Sequence, residues 1–144
     1  MRVLHHYPLS PSSRLIRLYL SEKKIEFVTK LELFWERSDA LLKLNPSGEV
    51  PILSDEDNTV ICGSGVIIEY FEELDTKINL IPGSTSQKAE VRRLFDWFEN
   101  KFNREVTNPL INNKIIKRYL GDYQPSSEII RGALYNIKVH LQYL

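Results

Sequence analysis

The most informative stretch of the sequence is residues 45–53, which read NPSGEVPIL. Residues 45–48 are turn formers, and the apolar run that follows predicts a β-strand beginning near Val50. A proline at a strand start cannot donate a ladder hydrogen bond, so Pro51 should lie at an edge or in a special position. If the Val50–Pro51 bond is cis, the backbone N–H and C=O of Val50 can turn outward and pair with an extended peptide. A trans proline in an ordinary loop is the alternative.

The residues before this stretch predict a strand, a helix and a second strand. Residues 2–6 are β-compatible, and Ser10 followed by Pro11 is typical of a helix N-cap and the first helical position. Apolar residues then continue to the helix end near residue 22, and residues 25–33 contain β-formers. A strand–helix–strand unit favours a parallel pair with a right-handed crossover.

The residues around and after it complete an α/β arrangement. A short helix is predicted over residues 39–44, a hairpin turn over 55–58 and a returning strand over 59–62. A further helix begins at Gly63-Ser64 and runs to about residue 74. The predicted order of this first part is therefore βαβαββα.

An all-helical segment follows a linker. Residues 80–83 read LIPG, and Ser84 with Gln87 three residues later has the capping-box pattern of a helix start. Residues 121–125 predict a break, after which Ser126 or Ser127 caps a last helix that runs to the end of the chain. We assign an α/β domain to residues 1–80, a linker to residues 81–85 and the first helices of an all-α domain to residues 86–144.

Both long helices of this segment carry apolar stripes, which favour helix packing over a ligand box. The first stripe comprises Val91, Leu94, Phe95, Phe98 and Phe102, and the second Ile129, Ile130, Leu134, Ile137 and Leu141. Two or three helices bury little core for their size. We therefore expect the chain to self-associate through apolar surface that its own helices leave uncovered.

Composition narrows the functional class. The 144 residues include 19 basic and 19 acidic side chains, so the chain lacks the basic excess of a nucleic-acid binder. Cys62 is the only cysteine, which excludes an intramolecular disulfide and fits a reducing compartment. Because no segment is typical of a signal peptide or a membrane span, we expect a cytoplasmic protein without membrane or nucleic-acid partners.

Two predicted helix starts can bind anions, since helix N-termini carry unpaired N–H groups and partial positive charge. A thiolate held at the Ser10 helix start would be stabilised, with a hydrogen bond from the serine hydroxyl. The Gly63-Ser64 start could bind a carboxylate or phosphate. In each case the serine could instead be a simple cap. His5 and His6 should point to opposite faces of their strand, and Cys62 should be buried and inert.

The motifs together resemble the glutathione S-transferase superfamily. They are Ser10-Pro11-Ser12-Ser13-Arg14 before an apolar helix, residues 45–53, the helix start at Ser64 and residues 80–83, in that order and at matching spacing. The resemblance covers nearly the whole chain. It implies a thioredoxin-like N-terminal domain joined to a helical C-terminal domain, of which this chain would carry only the first helices.

The resemblance also implies a glutathione site. Pro51 would be a cis-proline, Val50 would pair its backbone with the cysteinyl part of glutathione, and Ser64 would hold the γ-glutamyl carboxylate. Family members usually carry an acidic residue before that serine, which pairs with the ammonium group of glutathione. Here that position is Gly63, so we expect weakened binding.

The same resemblance implies the chemistry. Ser10 falls where serine-type members stabilise the glutathione thiolate, with Ser12 and Tyr7 as the alternatives. The activity implied is conjugation of glutathione, as a co-substrate, to a small electrophile in a homodimer, without a cofactor or metal. A narrower resemblance rests on residues 96–106, DWFENKFNREV, with Lys117-Arg118 later. It is to an alphaproteobacterial branch of the superfamily with members that bind FtsZ filaments, and it implies a non-catalytic cell-division adaptor as the alternative function.

Overall fold

The computed structural model describes residues 1–74, 77–121 and 124–143. The chain divides into two compact units, Met1–Gly83 and Ser84–Leu144. Within the described residues, no helix is both long enough and apolar enough to cross a membrane.

The first unit is a four-stranded mixed sheet with helices, in the predicted βαβαββα order. Its strands are β1 Arg2–His6, β2 Phe27–Leu31, β3 Ile52–Ser54 and β4 Val60–Cys62. Its helices are α1 Pro11–Glu22, α2 Asp39–Leu44 and α3 Ser64–Leu74. The sheet order is β2-β1-β3-β4, with β1 parallel to β2, antiparallel to β3, and β3 antiparallel to β4. This is the thioredoxin-like arrangement.

Strand β2 is shorter than the predicted strand over residues 25–33. After Leu31 the chain enters a 3₁₀ turn, Phe34–Glu36, which ends at Arg37 in a left-handed conformation with φ +48°. The strand formers at Phe34 and Trp35 are therefore used in a turn, because their rings pack on tertiary neighbours rather than across a ladder.

The helices α1 and α3 are tied together by a buried polar network. The Tyr19 hydroxyl lies 2.7 Å from Glu72 Oε1, and the ammonium group of Lys23 lies 3.1 Å from the same oxygen. The Lys23 side chain is fully buried and also donates to the carbonyl of Ile78 at 2.7 Å. Leu18, another apolar residue of α1, is 56% exposed.

Ladder register separates the two faces of the sheet, since directly paired residues point to the same side. Leu4 pairs with Leu53, which pairs with Ile61, and all three are buried. The other face carries the paired residues Val3, Val28, Ser54 and Val60, together with His5, Lys30, Ile52 and Cys62. Ile52 is fully buried at one end of this face. Val28 and Val60 are 40% and 41% exposed. We call this second surface the open face.

The second unit contains one long helical run and a final helix. The run comprises α4 Thr85–Asp96, a π-helical segment Trp97–Thr107, α5 Asn108–Ile111, a second π-helical segment Asn112–Ile116 and α6 Lys117–Tyr119. The final helix is α7 Ser127–Leu141. The capping box at Ser84 and Gln87 is confirmed, and Ser126 is the cap of α7. The sequence predicted that this helix continues to the end of the chain. It ends at Leu141 instead, and residues 142 and 143 form a turn. Leu144 and part of the predicted break lie outside the described residues.

One contact between α7 and the helical run is made by a side-chain amide. Asn136 Nδ2 on α7 donates to the backbone carbonyl of Glu105, in the first π-helical segment, at 3.1 Å. The contact joins α7 to the helical run.

A buried histidine adds a second connection. The indole N–H of Trp97 donates to His140 Nδ1 at 3.0 Å, so His140 Nε2 carries the proton and donates to Glu105 Oε2 at 3.0 Å. His140 is 3% exposed. The ring of Phe102 packs edge-on against it with centroids 5.1 Å apart.

Candidate functional site

Register brings the predicted site residues to one end of the sheet. His5 pairs with Ile52, and Ile52 pairs with Cys62. The end of β1, the start of β3 and the end of β4 therefore lie at the same end of the sheet. Tyr7, Pro51 and Gly63 each lie one or two residues beyond those pairs.

A backbone hydrogen bond joins the two motifs that were predicted to bind glutathione, at this end of the sheet. The Val50–Pro51 peptide bond is cis. The N–H of Gly63 donates to the carbonyl of Pro51 at 3.0 Å, and the carbonyl of Gly63 accepts from Ile67 N in the first turn of α3. Ser64 is the first residue of α3 and is 5% exposed. The structure thus brings Val50, Pro51, Gly63 and Ser64 together.

Gly63 has a backbone conformation that matters for this site. Its φ is +91°, which L-residues rarely adopt. A Cβ built there would meet nothing within 4 Å. The position therefore has room for a side chain but disfavours one through its backbone, and it offers no carboxylate to a ligand's ammonium group.

The Ser10 hydroxyl caps α1, accepting from Ser13 N at 3.2 Å. That bond uses a lone pair of the oxygen and leaves the hydroxyl's own proton for another acceptor. Ser12 is half-buried in the first turn of α1. The structure adds a contact for Ser13 of the same motif that the sequence did not reveal: Ser13 is fully buried, and its Oγ accepts from the backbone N–H of Tyr7 at 3.4 Å.

Tyr7 belongs to an aromatic cluster that sequence reasoning also missed. Its ring contacts Phe34 and Trp35 edge-on, with centroids 5.8 and 4.9 Å apart, and Tyr7 is 7% exposed. The available signal was the aromatic pair directly after a parallel strand, since side chains beyond the carboxyl ends of such strands often line a site. The cluster stands beside the Ser10 helix start, because the Tyr7 carbonyl accepts from Ser10 N at 3.0 Å.

The NPSG turn is held by one of its own side chains, Asn45, and by Arg37. Asn45 Nδ2 donates to the Glu49 carbonyl at 2.9 Å, and Arg37 donates to the Ser47 carbonyl at 3.2 Å. Gly48 has φ +74°, and a Cβ there would lie 2.9 Å from Arg37 Nη1. The positive φ favours glycine here, whereas the flexible end of the Arg37 side chain could move away from a Cβ. The turn leads directly into Val50.

The remaining candidates carry less chemistry. Cys62 is half-buried rather than buried; burial raises the pKa of its thiol, and its Sγ donates to the Leu44 carbonyl. His5 lies on the open face and bonds Glu32, whereas His6 lies on the other face. Burial, followed by the positive charge of Arg17, lowers the pKa of His6. In the described part of the chain, no three His, Cys, Asp or Glu residues are grouped closely enough to hold a metal ion.

Proteins of known family share this sequence and this fold. Residues 9–74 match the family model described as "Glutathione S-transferase, N-terminal domain". FtsZ-localized protein A of Caulobacter vibrioides is 38% identical over 146 residues, covering 99% of this chain and 64% of that protein. Among solved structures, a glutathione S-transferase from Rhodospirillum rubrum F11 superposes with a TM-score of 0.94 at 42% identity, and FzlA from C. crescentus with 0.92 at 39%.

Both structures are matched over 99% of this chain and 64% of their own length. The chain therefore spans a little under two thirds of these relatives. It belongs to the glutathione S-transferase superfamily.

Proposed function

We propose that the chain binds glutathione and transfers its sulfur to a small electrophile. The observation that carries the proposal is the hydrogen bond from Gly63 N to the Pro51 carbonyl, which sets the Val50 backbone beside the start of α3. The Val50 backbone would pair with the cysteinyl part of glutathione. The N–H groups of the first α3 turn and the Ser64 hydroxyl would bind the γ-glutamyl carboxylate.

In this proposal Ser10 stabilises the glutathione thiolate. Its hydroxyl proton is not used by the cap bond, and the α1 N-terminus adds partial positive charge. The thiolate sulfur attacks the electrophilic carbon, a C–S bond forms and the leaving group departs as an anion. Ser12 and Tyr7 are the alternative donors, and Tyr7 is the less accessible of the two.

An aryl halide tests the reaction. We expect glutathione-dependent release of chloride from 1-chloro-2,4-dinitrobenzene, with a rate that Ser10→Ala lowers about tenfold or more. Ser21→Ala is the matched control, since Ser21 is an exposed α1 serine whose hydroxyl bonds the Arg17 carbonyl. Equal rates for wild type and Ser10→Ala would remove Ser10 from the mechanism and direct the test to Ser12 and Tyr7.

A second candidate is a cytoplasmic adaptor that binds FtsZ filaments without catalysis. It is favoured by the similarity to FtsZ-localized protein A over 99% of the chain, together with glycine at position 63, where a carboxylate would serve glutathione. Co-sedimentation with purified FtsZ polymerised by GTP tests it. The adaptor proposal predicts that the chain pellets only when FtsZ is polymerised, and a chain that stays in the supernatant under both conditions contradicts it.

A further inference from the structure

A second polar cluster lies on the open face, formed by side chains from three neighbouring strands. His5 extends from β1, Glu32 follows β2, and Ser54 ends β3. His5 Nδ1 lies 2.8 Å from Glu32 Oε1, and His5 Nε2 lies 3.5 Å from Ser54 Oγ. A hydroxyl, an imidazole and a carboxylate are thus connected in series.

The direction of these hydrogen bonds is set by Glu32. Burial raises the pKa of its carboxyl, but hydrogen bonds from His5 and Lys30 lower it by more, so the net pKa is lowered. An ionised carboxylate only accepts, and therefore His5 Nδ1 must donate. In neutral His5 this leaves Nε2 without a proton, facing the Ser54 hydroxyl as an acceptor.

Lys30 completes the arrangement from its neighbouring position on β2. Its ammonium group lies 3.1 Å from the same oxygen, Glu32 Oε1, and its side chain is 55% exposed. The carboxylate is therefore held by two donors, which fixes the orientation of the His5 ring.

The cluster is accessible from one side. Ser54 is half-buried, whereas His5 is 6% exposed. Val60, directly paired with Ser54, and Val28 are about two-fifths exposed. Solvent therefore reaches Ser54 and these two valines, whereas the His5 imidazole is largely shielded from it.

We propose that Ser54 is a base-activated nucleophile that accepts acyl or phosphonyl groups from small activated esters and fluorides. A serine hydroxyl becomes reactive when an adjacent base is itself oriented by a third group. The Ser54 oxygen forms a bond to the carbonyl carbon or phosphorus, its proton passes to His5 Nε2, and the leaving group departs. Glu32 is a positioning residue. The separation of 3.5 Å suits a ligand-free site, in which such bonds are often long.

A fluorophosphonate probe tests the proposal on the whole chain. In this reaction the Ser54 O–P bond forms, the P–F bond breaks, fluoride leaves and the serine proton passes through His5 to solvent. The adduct is stable, so peptide mass spectrometry identifies the labelled serine. We expect labelling at Ser54 at least tenfold faster than at Ser21, and no label there in Ser54→Ala.

Further variants separate activation from simple exposure. His5→Gln removes the base and should slow labelling of Ser54 at least tenfold. Glu32→Gln keeps the shape of the positioning residue without its charge and should also slow labelling, whereas Glu32→Asp, which keeps a carboxylate, should restore part of the rate. Circular dichroism shows whether each variant is folded. Labelling of Ser54 in wild type no faster than of Ser21, or equal rates in wild type and folded His5→Gln, overturns the proposal.

Discussion

At φ +91°, Gly63 holds a conformation that costs an L-residue about 1–3 kcal/mol. The space around a Cβ there is open, so a glutamate side chain can be accommodated. We expect Gly63→Glu to lower the free energy of unfolding by that amount. We also expect it to tighten glutathione binding by about 1 kcal/mol or more, because it supplies a carboxylate for the ligand's ammonium group.

Gly63→Gln is the matched control for charge, since both variants carry the same backbone cost. Calorimetric titration should give a lower Kd for Gly63→Glu than for Gly63→Gln. Equal values for the two variants would mean that no ammonium group binds next to this position.

Glu72 makes stability depend on pH. Burial raises the pKa of its carboxyl, but hydrogen bonds from Tyr19 and Lys23 lower it by more, so the folded-state pKa lies below the ordinary value of 4.5. Its contribution is therefore present above pH 4.5 and lost as pH falls through the folded-state pKa. We expect Glu72→Gln to cost about 1–3 kcal/mol at pH 7, because Lys23 loses its buried partner.

Urea unfolding of wild type and Glu72→Gln at pH 7, 5 and 3 measures this effect. The difference in unfolding free energy should be full at pH 7 and smaller at pH 3, because below pH 4.5 the carboxyl of the unfolded chain takes up a proton. A difference that stays constant over this range would show that the lost contribution is not that of the carboxylate charge.

Among the helices, Asn136 joins α7 to the helical run. Asn136→Ala removes the donor to the part-buried Glu105 carbonyl and should cost about 0.5–1.5 kcal/mol. Urea unfolding measures this cost, and an unchanged free energy of unfolding would contradict this account of the contact.

The elements predicted well from sequence are those with local signals. Ser10 with Pro11, and Ser84 with Gln87, mark helix starts because their hydrogen bonds lie within four residues of chain. The end of β2 and the two π-helical segments were not predictable in this way. The end of β2 depends on the packing of Phe34 and Trp35 against Tyr7. No residue within the helical run signals the i→i+5 hydrogen bonds of the π-helical segments.

The same distinction between local and long-range signals applies to the candidate site. Residues 45–53 and the Ser64 helix start are contiguous motifs, and family resemblance marks them. The aromatic cluster around Tyr7 and the series His5, Glu32 and Ser54 join residues up to 49 positions apart. Such groups depend on sheet register, which the order of strands in the sequence does not determine.

For the molecule as a whole, we predict self-association through the second unit. Several apolar side chains of α4, the first π-helical segment and α7 remain in contact with solvent: Val91 41%, Phe98 37%, Ile129 43%, Leu134 46% and Leu141 58% exposed. Burying one such side chain fully is worth about 1.5–3 kcal/mol, so covering this surface would stabilise a dimer.

Light scattering across a dilution series measures this association. The molar mass of wild type should rise toward twice the monomer value with concentration, whereas Leu134→Glu with Leu141→Glu should remain monomeric. Leu18→Glu is the matched control, since Leu18 is 56% exposed but lies in the first unit. A wild type that stays monomeric at high concentration would contradict the prediction.

Calorimetric titration of the chain with glutathione tests whether Val50, Pro51 and Ser64, at one end of the sheet, form a glutathione site. Binding should be measurable in wild type and about tenfold weaker or more in Ser64→Ala, because the hydroxyl bond to a carboxylate is charge-assisted. Ser21→Ala should bind as wild type does. Absence of binding heat from wild type, or equal affinity in Ser64→Ala, would contradict the glutathione site and leave FtsZ binding as the function to test.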